Sequence, residues 1–349
     1  MELLEKIAVD RPGYTFQKAA ADLERDSREV VLVQHTEVAE VLAHLAEAYR
    51  RIGNLKKAVQ LFWESFRFWR RMDNHARMCW CLWGIASIER TEGKIRKSYH
   101  HFSQAFTMAR SAGERRCQAW SFAEMAEILR IVGDYRSAMP DHLEVLHEFE
   151  ALKDLTGVAW AYSGIAQMLK LSGQLEAAKR YFLRAEHSSL AIEDLIGAGW
   201  ALRGQAEIAN QRLDFSTAAK LANNALDHFM RKGYPIGIAY TQKTLSEVYL
   251  RVGHISEALS SVMLAQLSFE TTGEPRGVAH GLKTRGDIEV SAGLTTQAVE
   301  HYQAAQDIFI RLRIRVPEMF NPSLAMARLP RLLQSKISFP IITHPVSFP

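Results

Sequence analysis

The sequence carries a few side chains of the types that do chemistry, so their spacing comes first. Glu144 and His147 make one Glu-x-x-His step. Di-iron helical bundles use that step twice, with two further glutamates, and here it stands alone. His100–His101 and the pair His142/His147 lack the i, i+4 spacing that lets two imidazoles on one helix face share a zinc ion. Cys79 and Cys81, two apart, point in different directions on a helix, and Cys117 lies far along the chain. Three such thiols make neither a zinc site nor a disulfide framework, and they read as reduced, buried groups. The glycines form no Gly-x4-Gly-Lys-Ser/Thr loop, Gly-x-Ser-x-Gly elbow or Gly-x-Gly-x-x-Gly turn. The expectation is therefore no catalytic residue, no metal, no cofactor and no enzyme.

Charge and hydropathy narrow the partners. Lys and Arg number 43 against 39 Asp and Glu, a mild excess scattered along the 349 residues. Nothing reads as a basic helix for a nucleic-acid groove, so nucleic acid is not the expected partner. No apolar stretch approaches the roughly 20 residues of a membrane span. The opening MELLEKIAVDRPG lacks the basic start, apolar middle and small-residue cleavage site of a secretory signal. A cytoplasmic chain is expected.

The residues that recur are large rings. Trp80, Trp120, Trp160, Trp200, Tyr240 and His280 are spaced by forty. So are the glycines that punctuate the chain: Gly13, Gly53, Gly93, Gly133, Gly173, Gly253 and Gly293, with Leu213 alone breaking the series. Five residues after each glycine from Gly53 onward comes Ala58, Ser98, Ala138, Ala178, Ala218, Ala258 or Ala298. Seven before each comes Ala46, Ala86, Ala126, Ala166, Ala206, Ser246 or Gly286. Such a register, unbroken from about residue 36 to 313, is the signature of a repeat array.

Each unit reads as two helices. The first has apolar residues at helical spacing, as in Leu42, Leu45, Ala46 and Tyr49. A glycine ends it in the left-handed conformation. The second carries its small residue and, four on, usually a ring: Phe62, Phe102, Phe182 or Tyr302, with His142, Ala222 and Val262 as departures. Small residues on facing helices permit close approach, and the ring fills the space beside them.

The pattern Gly-x4-Ala-x3-Phe-x2-Ala, as in Gly173, Ala178, Phe182 and Ala185 after Ile165 and Ala166, resembles the tetratricopeptide repeat. It covers about 280 of the 349 residues. The period departs from the commoner 34, and the usual closing proline is missing; HEAT and armadillo arrays have similar periods. The resemblance implies an all-α, right-handed superhelical solenoid of antiparallel helix pairs. Residues 1–35 would form a degenerate N-terminal capping repeat, with Gly13–Tyr14 as its turn. Residues 36–313 would form seven repeats, the last ones partial or capping. Residues 314–335 would form a C-terminal capping helix, and residues 336–349, broken by Pro340, Pro345 and Pro349, an extended tail.

In this family the first helices line the concave surface. The ring position lies about 160° from the centre of its helix's core stripe, so packing against the paired helix does not account for it. The residues three and seven further on share its side. Trp83, Arg203, Lys243 and Lys283 belong to the first set, and Glu127, Glu207, Glu247 and Asp287 to the second. Two readings of the rings stand: cement between neighbouring repeats, or the floor of a ligand groove. On the second, Trp80, Trp83, Trp120, Trp160, Trp200, Tyr240 and His280 give apolar contact. Glu127, Glu207 and Glu247 accept backbone or Lys/Arg donors, and Arg203, Lys243 and Lys283 attract an acidic group. The expected function is a scaffold or adaptor that binds a protein or peptide segment, with the chain's own tail as a possible occupant in cis or in a neighbouring molecule. The alternative is a ligand- or peptide-sensing regulatory or chaperone subunit of a bacterial system, acting through a partner protein.

Overall fold

The structure, a computed structural model, describes residues 15–29 and 35–314. Among the described residues there are fifteen helices and no strand. Helix α1 (Phe16–Glu29) stands first. Seven antiparallel pairs follow: α2 (His35–Arg51) with α3 (Leu55–Arg71), α4 (His75–Thr91) with α5 (Ile95–Ser111), and α6 (Arg115–Val132) with α7 (Tyr135–Leu152). Then come α8 (Leu155–Leu171) with α9 (Leu175–Leu190) and α10 (Leu195–Gln211) with α11 (Phe215–Lys232). The last are α12 (Pro235–Arg251) with α13 (Ile255–Thr272) and α14 (Pro275–Ser291) with α15 (Thr295–Leu312). Helix α1 lies within residues 1–35, and the turn expected at Gly13–Tyr14 lies outside the described residues. The expected capping helix after Ile314 and the tail also lie outside them.

Local chemistry sets the helix ends. Asn54, Asn74, Asp134, Asp154, Asp194 and Asp214 each stand at an N-cap, where the side-chain oxygen accepts a backbone N–H of the first turn. At the other end of the first helices the chain reverses through a left-handed residue. Gly93 has φ +74°, and Leu213, where the glycine register fails, is held at φ +64°.

Two rows of rings fill the space between helices. Phe62, Phe102, Phe182 and Tyr302 are buried at the position expected from the small-ring-small pattern. A second row, Phe149, Phe229, Phe269 and Phe309, lies near the C-terminal end of the second helices, and its first three members are fully buried. A Cβ on Gly157 would lie 2.3 Å from the Phe149 ring, so only glycine lets α8 come this close to the end of α7. Gly237 against Phe229 and Gly277 against Phe269 repeat the arrangement. Each such ring stabilises the fold by roughly 1.5–3 kcal/mol through burial.

Successive first helices also pack on one another, whereas successive second helices splay apart. The chain therefore coils with its first helices inside. The coil meets itself. The turn at Gly53 sits on Thr272 and Pro235, and Leu55 reaches Gly273. The turn at Gly93 sits on Leu312 and Pro275, with a Cβ there only 2.5 Å from Leu312 Cδ2. Gln17 of α1 packs on Gly233. Turns thus meet 220 residues apart (Gly53 and Gly273), a superhelical turn of about five and a half forty-residue repeats. One apolar cluster joins Ile95, Phe102 and Ile128 to Ala279, Ile308 and Phe309, sealing the first turn of the coil to its last.

Candidate functional site

The interior of this coil is lined by the first helices, and the expected ring row lies along it. Its members form two runs of touching rings. Trp80 meets Trp83 edge-on at 5.9 Å, Trp83 meets Trp120 at 6.1 Å, and Trp120 meets Trp160 at 6.0 Å between centroids. The second run is Trp200 with Tyr240, at 5.8 Å. Trp120 is buried, at 8% exposure, while Trp80, Trp83, Trp160, Trp200, Tyr240 and His280 are half-buried.

The rings also pack against the paired second helix, which the single-stripe geometry did not anticipate. Trp120 lies 4.9 Å from Phe149, Trp200 5.2 Å from Phe229, Tyr240 4.7 Å from Phe269 and His280 5.4 Å from Phe309. The physical reason is crowding: a first helix is flanked by its own second helix, the preceding second helix and the neighbouring first helices. A residue opposite one contact stripe faces another. The Phe row recurs with the same period of forty, and that was the signal in the sequence that identifies the partners of the Trp row.

Polar edges tie two of the rings to the next repeat. The indole N–H of Trp120 donates to Asp154 at 2.9 Å, and the Tyr240 hydroxyl donates to Glu274 at 3.1 Å. Both acceptors are N-cap residues 34 positions on. Burial and Glu274 push the Tyr240 phenol up, and burial holds the His280 imidazole neutral, down to about 3, with Lys243, Arg276 and Lys283 beside it. Trp160 is stacked on His142 at 5.3 Å, and the Arg203 guanidinium lies 5.0 Å from Trp200 and 5.5 Å from Tyr240.

Every charged residue expected in the groove is engaged. Glu127 takes two hydrogen bonds from Arg130, at 2.5 and 2.7 Å. Glu207 accepts from both Lys170 and Arg203. Lys243 lies 2.8 Å from Glu247, which also accepts from Thr284, and Lys283 lies 2.5 Å from Asp287. At the N-terminal end Glu47 binds Arg50 and Arg51, each at 2.6 Å. Opposite arms of the coil approach each other here. Arg50 is an electrostatic neighbour of Tyr234, Arg130 of Tyr240, and Glu124 and Glu127 of Arg276. The interior is therefore strongly ionic, with ring edges beside the ion pairs.

The groups that first suggested metal chemistry lie elsewhere. Glu144 and His147 are exposed on α7, His101 pairs with Glu89 at 2.7 Å, and the three thiols are buried and free. Among the described residues no three metal-binding side chains gather, and no helix is long and apolar enough to cross a membrane.

Paired helices, small-residue contacts and packed first helices together define an all-α solenoid of antiparallel helix pairs. Residues 38–72 match the tetratricopeptide repeat family by sequence. No curated protein matches the chain by sequence. Among solved structures it is similar to a Rap protein complexed with competence and sporulation factor, with 13% identity over 88% of this chain and 83% of that one and a TM-score of 0.69. It is similar to the Rap conjugation gene regulator of plasmid pLS20 in complex with the Phr* peptide, with 14% identity over 74% and 70% and a TM-score of 0.63. Aspartyl phosphate phosphatase F from Bacillus subtilis is 14% identical over 73% and 66%, with a TM-score of 0.57. At such identities the likeness is one of fold.

Proposed function

We propose that the chain is a binding protein whose concave interior takes an extended segment of a peptide or protein. The observation that carries this reading is the composition of the interior. Half-buried rings and ion pairs with spare hydrogen-bonding capacity alternate along the first helices α4 to α14. Rings offer apolar contact at low entropic cost. Glu127, Glu207 and Glu247 have lone pairs for backbone N–H groups, and Arg203, Lys243 and Lys283 have donors for carbonyls and carboxylates. The fold shared with two structures described as complexes with a factor and with a peptide supports the same reading. Trp120 and Tyr240, pinned to the next repeat, shape the channel, while Trp80, Trp160 and Trp200 meet the segment.

A sensing role is the second reading, and the closed seam favours it. A coil whose first turns rest on its last must change pitch to admit a segment, and that change can be passed to a partner protein. The test is capture of partners from a native lysate by the wild type, by Trp200→Ala and by Met263→Ala on the exposed outer face of α13, with the thermal midpoint of each recorded. Loss of capture confined to Trp200→Ala supports the interior as the site. Capture lost only with Met263→Ala overturns it.

A further inference from the structure

The outward charges are not spread evenly over the repeats. Helices α3 and α5 carry Lys56, Arg67, Arg70, Arg96, Lys97 and Arg110 on their exposed faces, and none of these side chains has an ion-pair partner among the described residues. The cations keep the register of the chain, with Lys56 and Arg96, and Arg70 and Arg110, forty apart. Glu64 is the only carboxylate on these two helices. The next second helix reverses the sign. Helix α7 has Asp141, Glu144, Glu148 and Glu150 against Arg136, and Glu150 stands where Arg70 and Arg110 stood. Glu148 lies 3.6 Å from Arg115 in an exposed pair. Burial, with Glu144 and Asp134 nearby, pushes the Asp141 carboxyl up. This face is short of cations as α3 and α5 are short of anions.

Each of the two neighbouring faces also exposes one large apolar side chain, Tyr99 on α5 and Leu143 on α7. An apolar centre with charges around it is the anatomy of a specific interface. The faces belong to consecutive repeats, so they lie side by side on the outside of one molecule. A two-fold axis parallel to these helices and passing between them lays α5 of one copy on α7 of the other, and α7 on α5, in one isologous contact. Other occupants fit less well. Residues 315–349 carry Arg315, Arg328, Arg331 and Lys336 against Glu318, the same sign as α5. A phosphate backbone drawn to α3 and α5 would meet the carboxylates of α7. Two helices about 26 Å long and 10 Å wide offer on the order of 500 Å² per copy, toward the small end of specific interfaces. Such a contact is reversible and depends on its charges.

We propose that the outer faces of α5 and α7 form the interface of a homodimer, in which the α5 cations of each copy face the α7 carboxylates of the other around Tyr99 and Leu143. The contact leaves the interior of each coil open to its own ligand, so it stands apart from the reading of that interior.

The test is sedimentation velocity of the full-length protein between about 1 and 100 μM. It compares the wild type with two charge-reversed variants, Lys97→Glu with Arg110→Glu on α5, and Glu144→Lys with Glu148→Lys on α7. The wild type is expected to dimerise, with a dissociation constant that rises at least tenfold between about 50 and 500 mM NaCl. Each variant alone sets like charges against each other in both halves of the contact and is expected to be monomeric. Mixed in equal amounts, the two variants make both halves attractive again and are expected to form a heterodimer, a rescue that misfolded chains would not give. A wild type that stays monomeric at low salt overturns the proposal; binding of a polyglutamate peptide or a DNA duplex by its α5 cations would then assign the face to another partner. Dimerisation unchanged in both variants places the interface elsewhere and overturns it too, as do monomeric variants that fail to rescue each other.

Discussion

The indole N–H of Trp120 donates to Asp154, the residue that caps the first helix of the following repeat. Asp154 at the same time accepts from the Gly157 backbone at 3.1 Å and from Arg116 at 2.7 Å. Burial alone would raise its pKa; the hydrogen bond and charge of Arg116, with Gly157 and Trp120, outweigh it and hold the carboxylate below its ordinary range. One carboxylate thus ties a ring, a cation and a helix start across a repeat boundary.

Asp154→Ala is accordingly expected to lower stability by about 2–4 kcal/mol, the sum of a lost cap and a buried donor left without its partner. Urea titration followed by circular dichroism measures it. A shift of the midpoint no larger than that of Asp214→Ala, whose carboxylate only caps α11, contradicts the assignment.

His142 occupies the ring position filled by Phe62, Phe102 and Phe182, and both of its nitrogens are buried without a partner. Burial lowers its pKa to about 4, with Glu127 and Arg130 its charged neighbours. Because the folded value lies below the unfolded 6.5, its contribution is intact above pH 6.5 and is lost as pH falls toward 4. His142→Phe is expected to stabilise the protein by about 1–3 kcal/mol at neutral pH and to flatten that part of the pH profile. Thermal midpoints between pH 4 and 8 decide; an unaltered slope contradicts the account.

The acid limb has a different origin. Glu47 and Glu127 are held down to about 2, since Arg50 with Arg51, and Arg130, outweigh burial. An unfolded carboxyl titrates near 4.5, so this stability is complete above that pH and fades as pH drops from 4.5 toward 2. Each pair contributes on the order of 3 kcal/mol by linkage. Glu127→Gln is expected to make the profile between pH 5 and 2 shallower, as measured by denaturant midpoints, and an unchanged profile argues against it.

The seam makes a prediction about shape. Leu312→Asp places a charge against the turn at Gly93 and is expected to open the coil without melting helices. Small-angle scattering should give a larger radius of gyration at constant helical circular dichroism. An unchanged radius means that the contact does not hold the coil shut.

Much of this arrangement is legible in the sequence, because each helix carries its own signals. The forty-residue register of Gly93 and its counterparts, the small residues and the cap residues locate every pair without reference to the rest of the chain. The ring row is legible as a row, and so is its place on the first helices. Its neighbours are less so: placing Trp120 by its angle to one stripe treats the helix as having one partner, whereas it has several. The closure of Gly53 on Thr272 is not legible at all. It depends on a small rotation per repeat summed over five and a half repeats, and no local pattern encodes that sum. Lys170 lies between these cases, since Gln167 visibly stands where Glu47 and Glu127 precede Arg50 and Arg130, but its use of Glu207 requires the fold.

The most direct test of the central claim is to map where a bound segment lies. An octapeptide retained by the protein, bearing a benzophenone, is cross-linked by light and the adduct located by mass spectrometry. The account predicts adducts on α8, α10, α12 and α14, near Trp160, Trp200 and Lys243. Adducts confined to the outer positions of second helices, such as Leu183, Met263 and Leu267, would contradict it.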